Sequence, residues 1–335
     1  MPFAMTSATT RGLAAVCAAA LVLASACGSG NSSTESGSGG TRVFAADNGK
    51  IKIPAEPKRV VATGYAVPVL IELGAPLVGI STWKRGIPMM SAEDRATYEK
   101  LDKVAGESAA ETNYEAVAKA DPDLIVIGVP KPVLGDLNMK RLESVAPVVV
   151  LGPASPSDWR DLSRRQAEAV GSVEGYGKAK AEYERKAATI AAKYKGALAG
   201  LKFGHVGGYG KVASGTFMRE YARSWGTNVA GDIGVPYYGE VKEKRGGGTN
   251  VSEYPSIEKL SESLGEADVI TYTLEPDGTV GPAVKYVLDS DLWKRLPAVK
   301  AGRAYGIRYT QAATYPSALK TLDALDQALA PLLKS

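Results

Sequence analysis

Few side chains in this sequence could make or break a covalent bond. Histidine occurs once, at His205, and cysteine twice, at Cys17 and Cys27. A Ser-His-Asp arrangement would have to use His205 alone. A structural zinc site, an iron–sulfur cluster and a disulfide framework lack the residues they need. No activated nucleophile and no paired acid and base stand at a catalytic spacing, so no enzymatic chemistry, cofactor or metal site is expected. His205 falls inside an expected strand and is read as a satisfied core histidine.

What the chain does offer is recognition chemistry. Ser81-Thr82-Trp83-Lys84-Arg85 combines hydroxyls, an indole and two cations in one loop. A guanidinium fork donates several hydrogen bonds at once to partly negative oxygens, and Trp83 could lie against apolar linkers. Tyrosine occurs 16 times against four phenylalanines. Six of the tyrosines, Tyr65, Tyr209, Tyr237, Tyr238, Tyr272 and Tyr309, fall at expected strand ends or in loops, where an apolar ring with a polar tip suits a wet cleft. Phe217, Met218 and Arg219 open the segment after Gly207-Gly208-Tyr209. The candidate binding set is therefore Tyr65, Trp83, Lys84, Arg85, Tyr209, Met218, Arg219, Tyr237, Tyr238, Tyr272 and Tyr309.

Three glycine-rich patterns carry less. Gly208-x-Gly210-x-x-Ala213 mimics a dinucleotide fingerprint, but Ser214-Gly215 interrupts the helix that would hold a pyrophosphate. Gly171 to Lys178 misses the spacing of a phosphate-binding loop, and Ala179 replaces its Ser or Thr. Lys242-Glu243-Lys244-Arg245 with three glycines reads as a solvated loop.

These side chains need a scaffold, and the sequence alternates short apolar runs with helical segments. Strands are expected at Arg59–Thr63, Leu77–Ile80, Leu124–Ile127 and Val148–Leu151, with helices at Val67–Leu73, Asn113–Ala120, Gly135–Glu143 and Asp158–Val170. Continuous apolar runs such as Leu124–Ile127 suit parallel strands buried on both faces. A second set follows: strands Lys202–Val206, Asp268–Thr273 and Ala304–Arg308, and helices Thr216–Gly226, Leu292–Leu296 and Ser317–Leu333. Between the sets, Gly175–Ala199 reads as one long helix with a stripe of Tyr183, Ala187, Ile190 and Tyr194. The fold class is α/β, with two Rossmann-like lobes joined by a single long helix and a ligand cleft between them.

Of the 335 residues, 40 are Lys or Arg and 36 are Asp or Glu, a net charge of +4. That is too mild, and too dispersed, to suggest nucleic acid. Arg11 is the only charged residue before the apolar run Leu13–Leu23, which is too short to span a bilayer comfortably. Leu23-Ala24-Ser25-Ala26-Cys27 resembles a bacterial lipobox, with Ala24 where Leu is commonest. The resemblance implies cleavage before Cys27 and its lipidation. The expected organisation is a signal segment over 1–26, lipidated Cys27 and a Gly/Ser tether over 27–46, an N-terminal α/β lobe over 47–170, the inter-lobe helix over 171–199 and a C-terminal α/β lobe over 200–335. The folded part would be extracytoplasmic, held at the outer face of the cytoplasmic membrane.

Several short motifs in fixed order carry a wider resemblance. They are Pro54-Ala55-Glu56-Pro57-Lys58-Arg59-Val60-Val61, Glu72-Leu73-Gly74-Ala75-Pro76-Leu77-Val78-Gly79-Ile80, Asn113-Tyr114-Glu115 and Asp121-Pro122-Asp123-Leu124. Leu292-Trp293 and Leu296-Pro297-Ala298-Val299-Lys300-Ala301-Gly302-Arg303 continue the series. Over essentially the whole chain after the tether, this order resembles the iron–siderophore and cobalamin class of ABC-importer substrate-binding proteins. The resemblance implies docking on a permease through one acidic residue per lobe, here Glu115 and Glu258 of Ser256-Ile257-Glu258, with Glu253 as a competing match. It also implies the hydroxamate branch, and its actinobacterial members most, with Arg85 holding the oxygens around iron. The expected ligand is a ferric siderophore of the ferrioxamine kind, and the iron arrives wrapped in its chelator. The protein would act as a monomer. Ferric citrate, a ferric catecholate or cobalamin is the alternative cargo; carboxylate-rich or catecholate chelates would call on Arg85, Arg219, Lys242 and Arg245 together. An extracytoplasmic enzyme or a signalling lipoprotein is the alternative outside the class.

Overall fold

Runs of β-branched and apolar residues form the strands of the computed structural model, which describes residues 40–209, 215–242 and 250–334. The signal segment, Cys27 and the tether as far as residue 39 lie outside the described residues. The chain opens with an antiparallel hairpin, β1 (Thr41–Ala46) and β2 (Gly49–Pro54). Residues 41–46 therefore belong to the folded body and not to the tether expected over 27–46. The signal for this lay in Lys50-Ile51-Lys52-Ile53, whose period of two marks a half-buried strand. Ile53 is fully buried and Phe44 nearly so, both in the core of the first lobe. The hairpin turn is stitched to that lobe by Asn48, which donates to Val148 O at 3.0 Å and accepts from Val150 N at 3.0 Å.

The first lobe holds β3 (Val60–Gly64), β4 (Leu77–Ser81), β5 (Lys103–Ala105), β6 (Leu124–Gly128) and β7 (Val148–Val150). All are parallel, in the order β5-β4-β3-β6-β7. Connections run outward in both directions from β3, so the switch point lies between β3 and β6. There the backbones come together: Tyr65 N donates to Gly128 O at 2.9 Å. A Cβ on Gly128 would stand 2.4 Å from Ala66 N, so only glycine fits.

The second lobe holds β8 (Phe203–Gly207), β9 (Met218–Glu220), β10 (Ser252–Glu253), β11 (Val269–Thr273) and β12 (Ala304–Ile307), ordered β10-β9-β8-β11-β12. Strands β8, β11 and β12 are parallel; β9 runs antiparallel to β8. The helix expected over Thr216–Gly226 does not form. Met218–Glu220 instead completes the edge of β8, and the chain then turns so that Gly226 N donates to the buried Glu220 carboxylate at 2.6 Å. Pairing with an open strand edge overrides local helical propensity.

Between the lobes runs the helix Val173–Leu198, 26 residues and so about 39 Å long. Tyr183, Ala187, Ile190, Tyr194 and Leu198 form its buried stripe, against the closing helix Tyr315–Leu329 and the second-lobe core. Trp159, which opens the last helix of the first lobe (Trp159–Ala169), packs edge-on against Tyr315 at 5.0 Å and Tyr183 at 6.0 Å and donates to Asn228 Oδ1 at 2.9 Å. Arg160 pairs with Asp232 beside it. No described helix is long and apolar enough to cross a membrane.

A second seam joins the lobes through Glu72, which ends the helix Ala66–Glu72. Thr314, the N-cap of Tyr315–Leu329, donates its hydroxyl to Glu72 Oε1 at 2.7 Å. Lys320 reaches across the same seam to Met90 O at 2.9 Å. Burial pushes the Glu72 carboxyl up from 4.5 to about 8; the Thr314 bond opposes this and Asp94 adds to it. Between those two values the folded chain keeps a proton that the unfolded chain has lost. Glu72 therefore makes stability fall as pH rises through that window, and Glu220, also raised to about 8 by burial, acts in the same sense. Glu72→Gln keeps the Thr314 contact and removes one titration. The loss of stability in urea between pH 5 and pH 8 should shrink by on the order of 2 kcal/mol; an unchanged loss would show that Glu72 is ionised in the seam.

Candidate ligand-binding cleft

The switch point of the first sheet opens toward the second lobe, and two cavities lie there. The larger, about 650 Å³, is lined by Tyr65, Lys131, the segment 152–156, Asp158 and Arg165 from the first lobe and by Trp225 from the second. The smaller, about 80 Å³, has Arg85 and Met89 on one side and Tyr209, Thr273, Glu275 and Tyr309 on the other. Both therefore take side chains from the two lobes.

Arg85 lies among aromatic rings. Its guanidinium carbon sits 4.0 Å from the Trp83 ring centroid, 4.6 Å from Tyr65 and 5.8 Å from Trp225. Tyr65 and Trp225 stack across the lobes at 6.3 Å, and Tyr209 meets Trp225 edge-on at 6.0 Å. The loop has local reasons for this shape. Trp83 N donates to the Tyr98 hydroxyl at 2.9 Å, and Gly86 leaves the space that the Trp83 indole fills: a Cβ there would stand 2.1 Å from Trp83 Nε1. Burial raises the pKa of Tyr65, an effect that Arg85 partly offsets. No described carboxylate forms an ion pair with Arg85. A guanidinium held by ring faces and in no ion pair with a described carboxylate can donate to a ligand, and cation–π contacts of this kind strengthen as water leaves. Lys84 is next in sequence but exposed, and lines neither cavity.

Of the expected binding residues, the structure gathers Tyr65, Trp83, Arg85, Tyr209 and Tyr309 around the cleft. Tyr309 reaches it with a left-handed backbone, φ 58°. The others lie elsewhere. Arg219 is fully buried inside the second lobe, between the Tyr221 ring at 4.7 Å and the Tyr238 ring at 5.1 Å, and donates to Glu220 O at 2.6 Å and Tyr238 O at 3.1 Å. Burial lowers its pKa. Met218, 2% exposed, packs within the same lobe. Tyr237 and Tyr238 flank the start of β8, because Tyr238 N donates to Phe203 O; that is the end of the sheet away from the cleft. The Tyr237 hydroxyl bonds Thr271 Oγ1 at 2.9 Å. Tyr272 is half-buried and meets Trp293 edge-on at 6.1 Å among residues of the lobe core. His205 is a core histidine: Nδ1 bonds Thr271 Oγ1 at 2.8 Å and Nε2 bonds Thr273 Oγ1 at 3.2 Å, and burial lowers its pKa to about 3, which keeps it neutral. Residues 210–214 and 243–249, including Gly210, Ala213, Lys244 and Arg245, lie outside the described residues. Lys242 faces Glu262 in a separate groove at the sheet edge.

Trp225 was not anticipated. Its only sequence signal is an indole beside Gly226 in a stretch read as helix. Gly226 is required because a Cβ there would stand 2.0 Å from His205 Nε2. The tight approach lets the chain turn back from β9 and present Trp225 to the cleft.

The two acidic residues expected at a partner surface are both exposed. Glu115 opens the helix Tyr114–Lys119, capped by Asn113, which accepts from Ala116 N at 3.0 Å. Its side chain is 91% exposed, with Arg141 at 3.9 Å. Glu258 follows Ser256 in the short turn Ile257–Lys259. Each sits in the connection that leaves the C-terminal ends of its sheet, on the side where the cleft opens. Glu253 is buried instead, accepting from the Tyr221 hydroxyl and from Lys242 N. Among the described residues no cluster of three or more His, Cys, Asp or Glu side chains is arranged to hold a metal ion.

Comparison with known proteins agrees with this architecture. The profile of the family described as "Periplasmic binding protein" matches residues 60–309. The iron(3+)-hydroxamate-binding protein FhuD of Bacillus subtilis is 28% identical over 299 residues, covering 86% of this chain and 87% of that protein. The iron(3+)-hydroxamate-binding protein YxeB of the same organism is 25% identical over 296 residues, covering 85% of each. Among solved structures, the siderophore periplasmic binding protein from the fuscachelin gene cluster of Thermobifida fusca superposes with a TM-score of 0.64 at 29% identity, over 84% of this chain and 98% of that one.

Proposed function

We infer the function from one premise: the chain belongs to the periplasmic binding protein family. It captures a ferric siderophore outside the cytoplasmic membrane and delivers it to an ABC importer; it performs no chemistry on its cargo. The observation that carries this reading is Arg85, which lines an inter-lobe cavity, rests on aromatic faces from both lobes and has no described carboxylate in an ion pair with it. Ferric-chelate oxygens offer a guanidinium several partly negative acceptors at close range.

Charge supports a hydroxamate over the other chelates. Among the described residues, four carboxylates, Asp47, Asp158, Asp161 and Glu275, line the two cavities against three cations, Arg85, Lys131 and Arg165. Arg165 is already paired with Asp47 at 2.8 Å. Three monoanionic hydroxamates cancel the charge of ferric iron, whereas three dianionic catecholates leave a strongly negative complex that this lining would repel. Arg219 and Lys242, which an anionic chelate would need, lie away from the cleft. The two hydroxamate-binding relatives support the same choice. We therefore favour a ferrioxamine-type ligand, with Cys27 carrying the lipid anchor. Globomycin, which blocks lipoprotein signal peptidase, should leave a larger precursor band; an unchanged band would remove the anchor from the proposal.

The test is quenching of intrinsic fluorescence, since Trp83, Trp225 and Tyr65 surround Arg85. The protein is titrated with ferrioxamine B, a ferric catecholate, ferric citrate and cobalamin, with iron-free ferrioxamine B as control. Saturable quenching by ferrioxamine B at the lowest concentration is expected. Tighter binding of catecholate or citrate would overturn the hydroxamate choice, and binding of none would overturn the receptor reading.

A further inference from the structure

We propose that the small cavity beside Arg85 is a subsite for a positively charged end of the ligand, with the Glu275 carboxylate as its counter-ion, so that the protein selects ferric hydroxamates ending in a primary ammonium. This rests on the siderophore reading above and specifies its ligand further.

The cavity offers acceptors on the side facing Arg85. Glu275, Thr273, Thr310, Gln311 and Tyr309 line it, and Glu275 is the only carboxylate among the described lining residues. No described cation forms an ion pair with Glu275. The residue is held in place by the turn that follows β11: its N donates to Thr279 O at 2.9 Å and its O accepts from Gly278 N at 2.9 Å. Room for its side chain is kept by Gly281, where a Cβ would stand 2.4 Å from Glu275 Oε1. Thr310 supplies an independent observation. It is 3% exposed, and its hydroxyl oxygen has no hydrogen-bond partner among the described residues. A buried hydroxyl left unpaired is costly; it lies just behind the cavity surface, so a ligand donor satisfies it only with a small shift of the wall.

A primary ammonium has three N–H donors and no acceptor, which suits a carboxylate, a hydroxyl and an amide oxygen grouped together. The cavity, about 80 Å³ and partly open to solvent, has room for an ammonium group. Arg85 on the facing wall would hold the hydroxamate oxygens while Glu275 takes the tail, so one ligand spans both lobes with opposite charges at its two contacts.

The experiment compares three ferric trihydroxamates: ferrioxamine B, which ends in an ammonium; its N-acetyl derivative, which is neutral; and cyclic ferrioxamine E, which has no tail. Affinities are measured by calorimetry for the full protein and for Glu275→Gln at low and high salt. The full protein should bind ferrioxamine B roughly three- to tenfold more tightly than the acetylated form at low salt. The ratio should narrow as salt is added and fall to about one in Glu275→Gln. Equal binding of the ammonium and acetylated ligands by the full protein would overturn the subsite and leave the siderophore reading standing. A preference that survives in Glu275→Gln would also overturn it, because the selecting charge would then lie elsewhere. Binding of none of the three would overturn the hydroxamate reading and the subsite with it.

Discussion

Arg85→Ala should weaken ferrioxamine B binding by roughly a hundredfold. Hydrogen bonds from a charged donor are worth about 1.5–3 kcal/mol each. Losing two of them at the lower figure gives about 3 kcal/mol, near two decades of affinity. The fold should survive, since Arg85 is only half-buried and its loss removes ring contacts but no described ion pair. Circular dichroism and the urea midpoint check that point. Arg85→Lys separates charge from shape. A lysine retains the cation but not the planar fork, so it should recover less than half of the lost binding energy. Full recovery by Lys would show that only charge matters there, and full affinity in Arg85→Ala would move the ligand out of this cleft.

The second large effect concerns delivery. Glu115→Arg combined with Glu258→Arg should reduce iron uptake by cells to the level of a strain without the protein, while the purified variant still binds ferrioxamine B normally. Both carboxylates are exposed at the cleft-facing end of their lobes and stand outside the two cavities. Reversing their charge changes the long-range attraction that steers a partner and sets like charges face to face. Each single reversal should leave partial uptake, because the other lobe still docks. Normal uptake by the double variant would place the docking surface elsewhere.

The sequence yields the two α/β lobes and the joining helix because those signals are local: buried strands are continuous apolar runs, and the helix stripe repeats at its own period. Arg85 and Trp83 were legible for a similar reason, since their loop follows a strand of unambiguous pattern. The failures are non-local. Met218–Glu220 looked helical because its own residues do not reveal that β8 has an open edge beside it. Tyr237 and Tyr238 were placed at the cleft because a loop of aromatic residues does not say which end of a sheet it covers. Arg219 looked like a ligand contact because burial between two tyrosine rings cannot be seen from its neighbours in sequence. Trp225 and Glu275 share that origin: each owes its position to a glycine, Gly226 or Gly281, whose importance shows only when the second chain segment is in place.

The double seam behind the cleft has a consequence for the cell. Trp159 packed against Tyr183 and Tyr315, with Glu72 bound to Thr314 on the other side, ties the lobes together at two places and should keep the spacing of Glu115 and Glu258 nearly constant. A gauge that stiff reads almost the same whether or not it carries cargo. On the proposed docking surface, an importer that measures this spacing should accept idle receptors nearly as readily as loaded ones, so that the receptor competes with itself. Iron uptake should then rise with receptor abundance, pass through a maximum and decline when siderophore is scarce.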